Sequence, residues 1–303
     1  MKSHVNTFAL STLLASAAAF TSPASANPMT LELTFDTSST GTLFPAGSDS
    51  VNVHYQNSDS SVVEYTSTTT AGMFSGVAGD DTTIDVRTLF TDPGNVLAYC
   101  VDLLQPLQRN ATYDVETLAQ DQIDDPTGVA RNFGRMLSFL GAVNQVQQTD
   151  HGFVADSKNW LRPSTSWMSG AIQVGIWESL YEYSGRDLSV TQGSRDDSQW
   201  FWVDTPPQAN NGNGNGNGPR RPRAQVGAAE RQIDASGLTF LNKAFDLVND
   251  GAGFSPVSAS EVLLARNLNG QDVIVDPVEV PLPASGFLFF SGLGALAWRR
   301  REQ

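Results

Sequence analysis

The chain carries one cysteine, Cys100, and that count limits the sulfur chemistry open to it. A lone thiol closes no internal disulfide, so in a secreted chain it points to intermolecular pairing, burial or special chemistry. Cys100 stands in Val96–Leu103 (VLAYCVDL), a nearly continuous apolar run that reads as a buried strand. A second residue is out of place. On a helical period Gln173 shares a face with Ile176, Trp177 and Leu180. An unpartnered amide in such a stripe costs roughly 1–3 kcal/mol. Hydrogen bonds to a neighbouring strand, partial exposure at the helix start or simple tolerance would each account for it. So would covalent chemistry: the Cys100 sulfur attacks the Gln173 side-chain carbonyl, ammonia leaves, and an intramolecular thioester removes two amide donors and caps the thiol. Spacing alone does not choose among these.

Other chemistry finds less support. Beyond the first 26 residues only His54 and His151 remain, and with one cysteine they make no recognisable zinc set. The acidic clusters Gly79–Asp81 and Asp121–Asp125 lack the spacing of a calcium loop and read as solvated turns. The sequon Asn110-Ala111-Thr112 carries little weight if the source is bacterial. No metal or cofactor is expected.

The elements that must position Cys100 and Gln173 divide by period. From Met29 to about Val101 the text is strand-like, with alternation in Leu31–Phe35, Val51–Tyr55 and Val62–Tyr65 between Ser, Thr, Gly and Asp clusters. Helical stripes follow in Gly128–Val146, Ser166–Tyr183 and Glu230–Val248. Residues 205–223 (TPPQANNGNGNGNGPRRPR) bury too little apolar surface to offset their ordering entropy and read as a disordered insertion. No internal repeat is evident. The expected fold class is α+β, a β-barrel or sandwich-like sheet region with helices packed against it.

The two ends read as targeting segments. Residues 1–26 fit a signal peptide: Lys2, an apolar run from Phe8 to Phe20, then the small-residue cleavage site Ala24-Ser25-Ala26. Near the other end, Ala284–Trp298 is apolar and stops at Arg299-Arg300-Arg301. As a helix those residues reach about 22 Å, short of a hydrocarbon core about 30 Å thick. Snorkelling arginines and bilayer thinning make up part of the difference, so a short transmembrane helix is expected, with the basic cluster cytoplasmic. The segments are then 1–26 (signal), 27–276 (extracellular domain) and 277–303 (tail, hydrophobic over 284–298). Setting aside Lys2, Arg299, Arg300, Arg301 and Glu302 leaves 14 basic and 31 acidic residues, a net charge of −17. A surface that acidic excludes nucleic acid as a partner and argues against anionic lipid.

Two resemblances sharpen this reading. The order Val280-Pro281-Leu282-Pro283-Ala284-Ser285, short apolar helix, arginine cluster resembles the PEP-CTERM sorting signal, with Leu282 where the name-giving pattern has Glu. That resemblance implies processing by an exosortase-type enzyme, and a cell-surface or extracellular-matrix destination in a biofilm-forming bacterium. Ala98-Tyr99-Cys100-Val101-Asp102 and Ala171-Ile172-Gln173-Val174-Gly175-Ile176-Trp177-Glu178 are similar to the paired motifs of Cys–Gln thioester domains of bacterial surface adhesins. In that family a strand cysteine faces a helix whose Gln is followed by a small residue, Ile and Trp. Here Gly175, Ile176 and Trp177 match; Val174 and the residues before Gln173 depart from the commonest form. The similarity spans roughly residues 70–185, including Ala71–Phe74 and Leu103–Pro106.

The resemblance implies a thioester joining Cys100 to Gln173 that attaches to an amine, or a hydroxyl, on a surface or matrix target. It is spent in one turnover, which makes the protein a reagent and not an enzyme. Tyr99 and Trp177 are candidates to shield the bond from water, beside the plainer reading of core aromatics. Two other functions stay open: a noncovalent matrix- or polysaccharide-associated protein with an inert cysteine, and a cysteine hydrolase or transglutaminase using His54 or His151 as base.

Overall fold

A nearly continuous apolar run, Val96–Cys100, forms the strand that carries Cys100. The structure, a computed structural model, describes residues 29–35, 43–56, 65–79, 86–90, 92–103, 105–108, 110–118, 123–124, 131–182, 186–190, 201–204, 232–267 and 269–275. The segments 1–26, 205–223 and 277–303, and with them Val280, Pro281, Leu282, Pro283, Arg299, Arg300 and Arg301, lie outside the described residues, as do Val62–Glu64. Six antiparallel strands close a barrel in the order β1 (Met29–Thr34), β4 (Phe74–Ala78), β5 (Val96–Cys100), β11 (Val273–Val275), β10 (Leu263–Arg266) and β6 (Asn110–Thr117). Leu31, Leu33, Val96, Ala98, Tyr113, Val115, Leu263, Ala265, Val273 and Val275 fill its interior, as the two-residue strand period requires.

A second, three-stranded sheet has the order β3 (Tyr65–Ala71), β2 (Asp49–Tyr55) and β9 (Phe201–Val203). β7 (Ile123–Asp124) and β8 (Arg131–Asn132) form a short ribbon. Among the described residues three long helices, α2 (Phe133–His151), α3 (Ser166–Tyr181) and α4 (Ala235–Asp250), pack on one another, and α3 also packs against β2, β3 and β9; α1 (Val86–Leu89) is a single turn. The class is α+β, a barrel with packed helices. Among the described residues no helix is long and apolar enough to cross a membrane.

The helix ends have local causes. Asn132 caps α2 by accepting from the Arg135 N–H (3.0 Å), so the helix begins at Phe133, five residues after the Gly128 expected from periodicity. It ends at Gly152 in the left-handed region (φ 72°). Thr165 caps α3 through the Met168 N–H (3.2 Å).

α3 differs from the one-sided stripe expected of it. Every residue from Met168 to Tyr181 is buried, Glu178 and Ser179 included, because α2, α4 and the three-stranded sheet enclose it. Such a helix needs small residues where neighbours come close. A Cβ on Gly175 would stand 2.0 Å from Cζ of Phe139 on α2.

Candidate functional site

β5 ends at Cys100, and its last hydrogen bonds explain Gln173. β4 pairs with β5 only through Phe74–Ala98, Ser75–Leu97 and Gly76–Val96. On the other side β11 continues to Cys100, and the Val101 N–H donates to the Asp272 carbonyl at 3.0 Å. Backbone groups alternate sides along a strand, so those of Cys100 face the side where β4 has run out. The Gln173 side chain fills that place. The Cys100 N–H donates to Gln173 Oε1 at 3.0 Å, and Gln173 Nε2 donates to the Cys100 carbonyl at 2.8 Å.

The two residues, 73 apart in sequence, are thus brought together. The structure also supplies the first of the plain explanations for a buried amide, hydrogen bonds to a neighbouring strand. Gln173 is 1 % exposed and bonded at both ends of its amide.

Cys100 is half-buried and packs against both the barrel interior and the helical core. It lines a cavity of about 570 Å³ bounded by Phe44, Thr68–Thr70, Asp102, Leu103, Gln105–Leu107 and Trp177. Neither lysine nor arginine lines it among the described residues. Burial, and then the nearby Asp102 carboxylate, push the Cys100 thiol well above its ordinary range, so the resting sulfur is protonated. Trp177 is 2 % exposed and its indole N–H has no hydrogen-bond partner among the described residues. Tyr99 points to the other face of β5, into the helical core, with its ring 6.0 Å from that of Trp160.

Two residues beyond Cys100 lies a charged centre that the sequence reading missed. Arg131, fully buried, donates to Asp102 at 2.6 Å and to Asp272 at 2.9 Å. The Asp272 N–H donates to the second Asp102 oxygen (2.7 Å), the Asn267 N–H to Asp272 (2.8 Å), and the Gln271 amide to the Asp102 carbonyl (2.6 Å). This cluster ties the loop after β5 to the start of β11 and the entry of α2. Its sequence signal is faint: Asp102 follows an apolar strand and Asp272 precedes one, each where a surface turn is the default reading. On α3, Glu178 is also buried. It accepts from the Ser189 N–H (2.7 Å), and its other oxygen has no partner among the described residues. Burial first, then neighbouring Glu182, raises its carboxyl well above the ordinary range.

Neither histidine reaches the thiol. His54 bonds to Thr66 (3.1 Å) and Asp204 (3.0 Å) on the three-stranded sheet and stacks on Trp202. His151, at the end of α2, lies against Trp167 and Phe240. Neither lines the Cys100 cavity. Among the described residues no three His, Cys, Asp or Glu side chains gather as a metal site. Compared with models of known families, with curated proteins and with solved structures, the chain shows no match.

Proposed function

We propose that this chain is an exported cell-surface or matrix protein whose Cys100 and Gln173 join in an internal thioester, for covalent attachment to an amine-bearing, or hydroxyl-bearing, target. One observation carries the reading: the Gln173 amide is docked at two points on the Cys100 backbone, beside a cavity that Cys100 itself lines. That docking has the polarity acyl transfer needs. The carbonyl oxygen accepts from the N–H of the nucleophile's own residue, a donor placed to stabilise an oxyanion. The amide nitrogen, which must leave, sits on the opposite side.

In bond formation the Cys100 sulfur adds to Cδ of Gln173, the C–N bond breaks, and the amide nitrogen takes the thiol proton and leaves as ammonia. In attachment, a target amine adds to the same carbon, the C–S bond breaks with its electron pair on sulfur, and the amine's surplus proton neutralises the thiolate. A stable amide remains, so the reaction runs once. An acidic chain with no cation among the described cavity-lining residues suits an approaching lysine amine. Trp177, in the cavity wall, is placed to limit water; Tyr99, on the opposite face, serves the core. Residues 1–26 direct export, and an exosortase-type enzyme acts on the tail at 277–303, whose hydrophobic segment holds the protein at the membrane until then.

A second reading, a noncovalent matrix protein with an inert cysteine, is favoured by the hydrogen bonds that the Gln173 amide makes at both its oxygen and its nitrogen. The hydrolase reading lacks a histidine within the cavity among the described residues. Thiol labelling separates the first two. On the thioester reading the purified chain takes up no thiol reagent until methylamine is added, then one equivalent; an inert cysteine labels equally in the unfolded chain with or without methylamine.

A further inference from the structure

The barrel interior against which Cys100 packs encloses a hydroxyl with no hydrogen-bond partner among the described residues. Along β5, Val96 and Ala98 belong to the barrel interior, and Cys100, next on that side, packs against it. Tyr113, on β6, belongs to the same interior cluster, fully buried with its ring edge-on to Phe35 at 6.2 Å. Its hydroxyl has no hydrogen-bond partner among the described residues; Asn267 approaches without completing one. Buried phenols ordinarily find an acceptor, and an orphaned one calls for a reason. Burial holds the Tyr113 phenol above its ordinary range, and negative charge on the neighbouring Cys100 and Asp272 acts in the same direction. The phenol therefore keeps its proton throughout the neutral range and stays a donor.

We infer that the Tyr113 hydroxyl is the hydrogen-bond donor to the Cys100 sulfur at the moment that sulfur carries negative charge, when the thioester opens. This rests on the thioester reading and adds the group that makes the sulfur able to leave. The sulfur needs such a group, because burial and Asp102 both oppose its charge. As the amine adds to the Gln173 carbon and the C–S bond breaks, the electron pair passes to sulfur and the Tyr113 O–H turns toward it. No proton leaves Tyr113; the proton that finally neutralises sulfur is the one surrendered by the attacking amine. In the resting amide form the sulfur is neutral and a poor acceptor, which is why the hydroxyl is unbonded there.

The test is Tyr113→Phe in the full chain, which keeps the ring and removes only an unbonded hydroxyl, so the melting temperature should hold. Opening by methylamine, followed as thiol release, should slow about ten- to a hundred-fold, the range of a hydrogen bond to a charged group. The freed Cys100 thiol, titrated by its alkylation rate against pH with Asp102 and Asp272 unchanged, should shift upward by about one pKa unit. A variant that opens at the wild-type rate and frees a thiol of unchanged pKa overturns the inference while leaving the thioester standing. A wild-type chain that never releases ammonia removes both.

Discussion

Two polar centres sit within three residues of each other at the end of β5, and they are built on opposite terms. The Arg131–Asp102–Asp272 cluster is charged, deeply buried and bonded almost to capacity, with both carboxylates and the guanidinium held by partners from three separate segments. The Cys100–Gln173 pair is neutral, uses only backbone on the cysteine side, and leaves the sulfur uncommitted beside a cavity. The first arrangement suits a staple, where breaking any bond strands a charge. The second suits a reaction, where one group is held by everything except the atom that must move.

The contrast breaks most visibly at Arg131. Arg131→Met strands two buried carboxylates and should cost about 3–5 kcal/mol, read as a lower urea midpoint at unchanged m-value. An effect under about 1 kcal/mol, the size of a surface pair, would mean that Arg266, 3.9 Å from Asp272, carries the charge balance instead. Next in size is Gln173→Ala, which leaves the Cys100 N–H and carbonyl without their partners at about 1–3 kcal/mol. If Gln173 forms the thioester, that variant when unfolded also takes up thiol reagent without methylamine, where the unfolded wild type takes up none; with a purely structural glutamine the two unfolded chains label alike. Gly175→Ala drives a methyl into Phe139 and should cost about 1–3 kcal/mol through repacking of α2 against α3. It sharpens the comparison because the loss is one of packing: mild spreading of the helices that also lowers methylamine reactivity would show that the pair depends on the depth of α3.

The smallest effect is at Glu178. Its folded pKa is raised, so between the ordinary value near 4.5 and the higher folded value the unfolded chain releases a proton that the folded chain retains. Stability from this group is therefore full at low pH and falls as pH rises through that window. Glu178→Gln should flatten that decline and raise the melting temperature at neutral pH, with little change near the ordinary value of 4.5. A parallel downward displacement at all pH values would assign the carboxyl a bonding role instead.

Strand and helix classes were readable in the sequence where the pattern was clean: β1 and β2 fall on a spacing of two, β5 on a continuous apolar run, and the three long described helices on a spacing of about 3.6. Helix starts were less legible, because the capping Asn132 and Thr165 decide them and apolar spacing does not. The burial of α3 on every side was hidden for a related reason: Ser169, Glu178 and Ser179 look like a solvent face until their bonds to Met73, Ser189 and Gly175 are seen. At the site, the pairing of Cys100 with Gln173 came from motif resemblance. Its cause, the start of β4 at Phe74, opposite Ala98 and short of Cys100, is a matter of strand register that no local pattern encodes. The Arg131 cluster was invisible because Asp102 and Asp272 lie 29 and 141 residues from the arginine they hold.

The most direct measurement is the intact mass of the purified chain beside its Cys100→Ala and Gln173→Ala variants. A thioester makes the wild type lighter than its sequence requires by one ammonia, leaves each variant at full sequence mass, and lets methylamine raise the wild type to the mass of a substituted amide. A wild type at full sequence mass, with its thiol free from the start, would contradict it.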